Sequence, residues 1–211
     1  MRRASLAVAE APTAGNPPLV IKIGGSLAET GRLRSVIPLI AAARVPAVIV
    51  AGGGQFADSV RKLQAELAFS DALAHRLAML AMQQMAEFIV AHDERFAIAA
   101  TRDEIGTALA RGQIPVWAPL RIIAGDTTIP ADWRATSDTL AARLAELLGG
   151  AQLVLLKSVG AGSESADELA ARGVVDPIFP SIVARSNLSW SIFGPGDEKS
   201  FAALLGGEGD G

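Results

Sequence analysis

Lysine and glycine stand at the ends of three apolar runs, where together they could bind an anion. They are Lys22, Gly24 and Gly25 after the first run, Gly52, Gly53 and Gly54 after the second, and Lys157 after a later one. Glycine lets backbone N–H groups approach a ligand closely, and lysine adds a positive charge. This combination is typical of phosphate binding. For the stretch around Lys22 alone, a strand-to-loop turn with a snorkelling lysine is an equally good interpretation.

A helix that opens at Thr136-Ser137-Asp138 could add to such a site. A helix N-terminus favours anions through its free N–H groups and its dipole. A carboxylate at Asp138 could hold Lys22 and Mg²⁺ around a transferring phosphoryl group, because that reaction depends mainly on positioning and charge neutralisation. The alternative is that Thr136, Ser137 or Asp138 simply caps the helix.

Alternating apolar strands and amphipathic helices are predicted to bring these residues together. Strands are predicted at residues 20–23, 47–51, 96–100, 114–117, 152–156 and 189–193, and helices at 33–44, 55–67, 71–92, 102–110, 136–148, 167–172 and from 197. This order predicts an α/β fold, a three-layer α/β/α sandwich with a mainly parallel central sheet. Ligands bind at the carboxyl ends of strands in such sheets, so the lysines and glycines are expected at one edge. Residues 121–133 are less regular and could form a hairpin.

Composition predicts a globular protein and excludes several kinds of site. Half of the 211 residues are hydrophobic and 19% are charged, so we expect one domain over residues 19–205, with a disordered tail over 1–18 and a flexible tail over 206–211. The net charge of −3, without a basic stripe, argues against nucleic-acid binding. The absence of cysteine excludes disulfides and thiolate metal sites. No apolar run approaches the ~18 residues of a transmembrane helix, so a soluble, cytoplasmic protein is predicted.

Two common nucleotide-binding motifs do not fit this sequence. The Walker pattern G-x-x-x-x-G-K-[ST] does not occur. Residues 52–57 match the loose dinucleotide pattern G-x-G-x-x-A, but the acid at the required distance, Asp71, stands at a predicted helix start rather than at a strand end. His75, near the start of the same helix, could face a substrate, although a solvated or core histidine is the more common role. No metal-ligand cluster is visible.

Four motifs, in their order and spacing, resemble those of the amino acid kinase superfamily. They are Lys22–Ser26, the turn Ala51–Gly54 that opens a helix, Thr136–Asp138 on a helix, and a strand that ends in a Val-Gly turn. Within the superfamily, Gly52–Arg61, Asp71–Met79 and Asp176–Pro180 resemble the small aminomethylfuran phosphate kinases of methanofuran biosynthesis. The resemblance implies an ATP-dependent kinase that uses Mg²⁺, acts on a phosphorylated acceptor and serves one-carbon metabolism.

The resemblance also implies roles for single residues. Lys22 would contact the transferring phosphate and Asp138 would organise the lysines. The ATP-binding residues would be Gly24, Gly25, Ser26, Ser158 and Gly160. The glycines Gly52, Gly53 and Gly54 would cradle the acceptor, with His75 nearby. Asp58 or Asp71 would bind a cationic amine on that acceptor.

The chain departs from the family pattern after the fifth strand. Where these kinases usually read Thr-Asp-Val-Asp-Gly, residues 157–162 read Lys-Ser-Val-Gly-Ala-Gly, so a lysine replaces a small polar residue and an acid is missing. The family's second catalytic lysine, near the C-terminus, has no clear counterpart, and Lys157 is our hypothesis for its replacement. These departures keep a second function class open, a non-catalytic relative that binds ATP or another polyanion as a regulatory or storage protein. The long helix 71–92, apolar on more than one side, predicts a homo-oligomer.

Overall fold

Six parallel strands form one sheet in the part of the chain that the structure, a computed structural model, describes, residues 17–206. The strands are β1 (Leu19–Ile23), β2 (Ala47–Ala51), β3 (Phe96–Ala99), β4 (Ile114–Trp117), β5 (Leu153–Leu156) and β6 (Trp190–Phe193). Their order is β3-β4-β2-β1-β5-β6, and every neighbouring pair is parallel. The predicted three-layer α/β fold with a mainly parallel sheet is therefore confirmed, and β1 lies near its centre.

Helices cover both faces of this sheet. They are α1 (Ser26–Glu29), α2 (Leu33–Ala41), α3 (Gly54–Leu67), α4 (Asp71–Val90), α5 (Arg102–Ala110), α6 (Leu120–Ile123), α7 (Ser137–Leu147), α8 (Ala166–Ala171), α9 (Phe179–Arg185) and α10 (Glu198–Leu204). Side chains alternate between the faces of a strand. In β1, Val20 packs in the core with α7 and α9, whereas Ile21 and Ile23 pack in the core with α2 and α10. Lys22 therefore shares the face of Val20 and points towards α7.

The hairpin predicted for residues 121–133 is wrong. The segment begins within the short helix α6 and continues as turns, because Gly125 has a φ of +92° and the Asp126 carboxylate accepts a hydrogen bond of 2.9 Å from the Thr128 N–H. These local bonds satisfy the backbone without a partner strand. Within α2, Pro38 has no N–H to donate, but its carbonyl accepts a hydrogen bond of 3.0 Å from the Ala42 N–H.

The tails predicted over residues 1–18 and 206–211 lie largely outside the described residues, which are 17–206. The domain boundary at 19–205 stays a prediction. Between residues 17 and 206, no helix combines the length and the apolar character that crossing a bilayer requires.

Candidate active site

Asp138 lies buried between two lysine side chains at the carboxyl edge of the sheet. Its Oδ2 accepts a hydrogen bond of 2.5 Å from the Lys157 Nζ, and its Oδ1 lies 2.8 Å from the Lys22 Nζ as an ion pair without hydrogen-bond alignment. Lys22 and Asp138 are each only 4% exposed. The structure thus brings together the three residues that the sequence indicated as catalytic.

The strand register explains this arrangement. Ile23 at the end of β1 pairs with Leu156 at the end of β5, so Lys157 begins the loop beside β1. Lys22 points to the same face, which α7 covers, and α7 begins above this edge of the sheet. Asp138, in the first turn of α7, is therefore within reach of both ammonium groups.

Burial and mutual charge set the protonation of this cluster. Burial lowers the pKa of Lys157 to about 8, the charge of Lys22 lowers it as well, and Asp138 opposes the change. Burial tends to raise the pKa of Asp138, but the two lysine charges bring it below its usual range. Below pH 8 Lys157 is therefore mostly an ammonium group, and Asp138 is a carboxylate. Two lysine side chains around a single carboxylate suit a bound phosphate.

The first turn of α7 is not capped by its own residues. Thr136 is the N-cap residue, but its hydroxyl donates at 2.6 Å to Oδ1 of Asp176, forty residues further along the chain. Oδ2 of Asp176 accepts from the Thr136 N–H at 2.8 Å and from the Thr139 N–H at 2.9 Å. The alternative in which Thr136, Ser137 or Asp138 caps the helix through its own side chain is therefore wrong.

The two glycine turns pack backbone against backbone beside Lys22. A Cβ on Gly25 would lie 2.6 Å from the Gly54 N, and a Cβ on Gly52 would lie 2.6 Å from the Gly25 N. Real Cβ atoms do not approach backbone so closely, and Gly54 also has a φ of +51°. Glycine is thus required where the turn after β1 meets the turn after β2.

A cavity of about 290 Å³ opens beside these turns. Glycine turns, α3, α4 and the start of α7 line it, through residues that include Gly25, Ser26, Gly53, Gly54, Asp58, His75, Thr136 and Ser137. It also contains residues that the sequence did not single out, Glu29, Arg61 and Trp133. The guanidinium of Arg61 stacks 3.9 Å from the Trp133 ring centroid, and the Trp133 Nε1–H donates to Gln64 at 2.6 Å. The cavity lining therefore contains one stacked cation, Arg61, and two carboxylates, Asp58 and Glu29.

His75 reaches the cavity as a buried, neutral side chain. Burial lowers its pKa, and the Ala135 backbone and the charge of Asp132 oppose the change. Within residues 17–206 its Nε2 has no hydrogen-bond partner. The histidine also borders a second cavity of about 410 Å³ formed with residues 123–131.

Five of the predicted binding residues do not line this cavity, Gly24, Gly52, Asp71, Ser158 and Gly160. Asp71 begins α4 on the surface, and its Oδ1 accepts a hydrogen bond of 2.8 Å from Gln64. Ser158 and Gly160 lie in the loop after Lys157, where Gly160 packs against the backbone of Gly194. Gly24 lies beside the lysine cluster, since a Cβ on it would lie 3.6 Å from the Lys22 Nζ.

Arg32, which the sequence did not indicate, lies next to the cluster of Lys22, Asp138 and Lys157. Its Nη1 donates at 2.6 Å to the Lys157 carbonyl, its Nη2 donates to the Gly194 carbonyl, and its Nε pairs with Glu198 at 2.9 Å. The guanidinium thereby joins the ends of β5 and β6. Its partners lie 125 to 166 residues away in the chain, so no local pattern could have indicated them.

Comparison with known proteins places this arrangement in a family. A model described as the amino acid kinase family matches residues 17–161, which include Lys22, Asp138 and Lys157. The chain belongs to the amino acid kinase family.

Members of this family and proteins of similar fold resemble the chain at different levels. A [5-(aminomethyl)furan-3-yl]methyl phosphate kinase from Methanocaldococcus jannaschii is 28% identical, over 66% of this chain and 65% of that protein's length. The match thus spans less than two thirds of that relative. The crystal structure of uridylate kinase from Archaeoglobus fulgidus superposes with a TM-score of 0.62, at 17% identity, over 91% of this chain and 97% of that one. The latter likeness concerns the fold alone.

Proposed function

We propose that this amino acid kinase family member transfers the γ-phosphoryl group of ATP to a small, already phosphorylated acceptor. The observation that carries the proposal is the buried Asp138 between Lys22 and Lys157, beside a cavity that glycine turns line. Two ammonium groups held by one carboxylate present a net positive charge to the reacting phosphates. Preorganised positive groups of this kind supply most of the catalysis that phosphoryl transfer needs.

In the proposed reaction, one oxygen of the acceptor phosphate attacks the γ-phosphorus of ATP. A bond forms between that oxygen and phosphorus, the bond from phosphorus to the β,γ-bridging oxygen breaks, and ADP leaves. Because a phosphate monoester oxygen is already anionic near pH 7, no side chain has to remove a proton. Lys22 and Lys157 would neutralise the charge on the transferring group, and Asp138 would keep both lysines in place.

Two sides of the lysine cluster would hold the two substrates. The turn of Gly24, Gly25 and Ser26, together with the loop of Ser158 and Gly160, would bind the ATP phosphates. The cavity at Gly53 and Gly54, which Gly25 and Ser26 also line, would bind the acceptor next to them. Residues 17–206 contain no cluster of three metal-ligating side chains. Mg²⁺ would thus be held mainly by the nucleotide phosphates, as is common for this ion.

For the acceptor we propose an aminomethylfuran phosphate. This molecule joins a cationic amine to an anionic phosphate, and the cavity offers Asp58 and Glu29 for the amine and Arg61 with the glycine N–H groups for the phosphate. The similarity to the [5-(aminomethyl)furan-3-yl]methyl phosphate kinase of Methanocaldococcus jannaschii supports the choice. Asp71, which lies outside the cavity, is the weaker candidate for the amine. On this basis the enzyme would act in the cytoplasm, in the synthesis of a one-carbon cofactor.

Acceptor-dependent ADP release tests this proposal. The purified protein is incubated with ATP and Mg²⁺, with and without [5-(aminomethyl)furan-3-yl]methyl phosphate, and ADP and the diphosphate product are measured. The same compound without its amine tests the carboxylate pair, and Asp58→Asn is expected to raise KM for the aminated acceptor only. Equal ADP release with and without acceptor would contradict the assignment.

A non-catalytic binding protein is the second candidate, because the loop 157–162 lacks the acid that kinases of this family usually carry there. Titration with a non-hydrolysable ATP analogue distinguishes the two functions. Binding of the analogue without any turnover of ATP would favour the regulatory or storage function. Turnover that depends on an acceptor would exclude it.

We propose in addition that the chain forms a homodimer through α3. Four apolar residues recur on one face of this helix, Phe56, Val60, Leu63 and Leu67, yet within residues 17–206 no residue of α3 is buried. Phe56, Leu63 and Leu67 are 46%, 45% and 68% exposed. Such a face needs a partner, and a second copy offers the matching one. Sedimentation equilibrium should give a dimer for the native chain and a monomer for Leu63→Glu, and a monomeric native chain would contradict the proposal.

A further inference from the structure

Asp176 caps a helix to which it does not belong. It lies in the connection between α8 and α9, and its carboxylate receives three hydrogen bonds, from the Thr136 hydroxyl and from the N–H groups of Thr136 and Thr139. In most helices, the side chain of the N-cap residue itself accepts the hydrogen bond from the N3 amide. In α7 the N3 amide is that of Thr139, and it donates to Asp176 rather than to the side chain of the N-cap residue Thr136. Residues before and after Asp138 are thus both anchored to one distant carboxylate.

This arrangement matters for Asp138 because of where it lies in α7. As the second residue of the helix, between Thr136 and Thr139, it has a backbone position that Asp176 fixes on both sides. Acidic side chains in a first turn normally interact with the free N–H groups there. Because Asp176 already accepts from the Thr136 and Thr139 N–H groups, the Asp138 carboxylate can contact Lys22 and Lys157 instead.

We propose that Asp176 is a positioning residue of the active site, which takes over the capping of α7 so that Asp138 is held between the two lysines. This proposal rests on the proposed function for its kinetic consequences. It does not depend on the identity of the acceptor. Asp176 itself touches neither substrate in this account and acts through Asp138 and the lysine pair.

Charge gives Asp176 a second, measurable effect on the cluster. Lys157 faces Lys22 from β1, Asp138 from α7 and Asp176 from the connection before α9, and the Asp176 charge helps to keep Lys157 protonated. Burial and the charge of Asp138 both raise the pKa of Asp176 itself, whereas the hydrogen bonds from Thr136 and Thr139 oppose the rise. Loss of the Asp176 charge should therefore make Lys157 titrate at a lower pH than in the native chain.

The decisive variant is Asp176→Asn, which keeps the shape of the side chain and removes its charge. The chain has four lysines, Lys22, Lys62, Lys157 and Lys199, so each can be followed by NMR of protein labelled with ¹³C-lysine. We expect the Lys157 titration midpoint to fall by about one pH unit. With ATP and acceptor, kcat should fall on the order of ten- to a hundredfold, while KM for ATP changes by less than about threefold. An unchanged Lys157 midpoint in Asp176→Asn would overturn the proposal.

Two further variants keep the test decisive if Asp176→Asn does not fold. Thr136→Val removes one of the three donors to Asp176 and should lower kcat by about three- to tenfold, and Thr136→Ser should restore it. Native kcat in Thr136→Val would overturn the proposal. The control is Thr101→Ala, which removes the side-chain cap of α5, where the Thr101 hydroxyl accepts from the Glu104 N–H at 3.2 Å. It should lower the thermal midpoint and leave the Lys157 titration and kcat unchanged.

The NMR arm separates this proposal from the proposed function. The Lys157 midpoint can be measured without nucleotide, acceptor or turnover. If the native chain shows no kinase activity, the proposed function fails, and a fall of the midpoint in Asp176→Asn still supports the positioning role. If the native chain is an active kinase and the midpoint does not move, the positioning role fails alone.

Discussion

Replacing Asp138 with asparagine should remove the carboxylate that contacts both lysines, with little change of shape. In the native chain this carboxylate contacts Lys22 at 2.8 Å and Lys157 at 2.5 Å, and it is almost fully buried. Removing one partner of a buried ion pair typically lowers the free energy of unfolding by about 3–5 kcal/mol. We expect a loss in this range for Asp138→Asn at pH 7.

The pH dependence of this loss follows from the titration of Lys157. Its pKa is about 8 in the native chain, and without Asp138 it should fall further. A lysine with a lowered pKa binds its proton more weakly in the folded chain than in the unfolded chain, so at pH 7 the unfolded chain binds more protons. Each further unit by which the pKa of folded Lys157 drops below the pH lowers the free energy of unfolding by about 1.4 kcal/mol. Near pH 9.5 Lys157 is largely neutral in both folded proteins, so this part of the loss disappears. The destabilisation should therefore be larger at pH 7 than at pH 9.5 by about 1–2 kcal/mol.

Urea unfolding followed by circular dichroism measures this difference. Both proteins are unfolded at pH 7 and at pH 9.5, and the free energies of unfolding are compared at each pH. Asp103→Asn, on the exposed surface of α5, serves as the control and should differ from the native chain by less than about 0.5 kcal/mol. Equal destabilisation of Asp138→Asn at the two pH values would refute the reasoning about Lys157.

Three other predictions concern activity and stability. In the proposed kinase reaction, kcat should decline as the pH rises through about 8, because Lys157 loses its proton there, and a pH–rate profile checks this. Glu146→Gln should lower the free energy of unfolding by about 1–3 kcal/mol at pH 7. The difference should shrink as the pH falls from about 4.5 towards 2, because arginine and serine donors lower the pKa of Glu146 from 4.5 to about 2; urea unfolding at several pH values measures it. Gly25→Ala would place a methyl group 2.6 Å from the Gly54 N and should reduce kcat/KM by about tenfold or more. The control is Gly106→Ala, whose Cβ meets nothing within 4 Å among the described residues; steady-state kinetics of both variants decide the point.

The core of the site could be predicted from the sequence because each part has a local signal. Lys22 interrupts a β-branched run, Lys157 ends an apolar run, and Asp138 stands at the start of an amphipathic helix. Parallel topology then brings strand ends and helix starts to one edge. The structure brings these three residues together as the sequence indicated.

The residues that support the site could not be predicted in this way. Asp176 and Arg32 interact with residues at least 37 and 125 positions away, and neither stands in a periodic or glycine-rich pattern. A side-chain bond across the fold leaves no trace in local spacing. The short helices α6 and α9 are not predicted either, because each follows a proline-containing segment that is typical of a turn.

The apolar face of α3 agrees between sequence and structure, but the sequence does not tell which surface covers that face. Its spacing, with Phe56, Leu63 and Leu67 on one side, predicts a helix, and the structure has that helix. Periodicity alone cannot tell a face that packs within its own chain from one that packs against a second copy. In the described part of the chain this face stays exposed.

The measurement that tests the account most directly is ADP release by the native chain and by Lys157→Met, with ATP, Mg²⁺ and [5-(aminomethyl)furan-3-yl]methyl phosphate. We predict acceptor-dependent release by the native chain and a loss on the order of a hundredfold or more in the variant, because the second ammonium group of the cluster is gone. Turnover by Lys157→Met at the native rate would contradict the central claim that Lys22, Asp138 and Lys157 together form the catalytic centre.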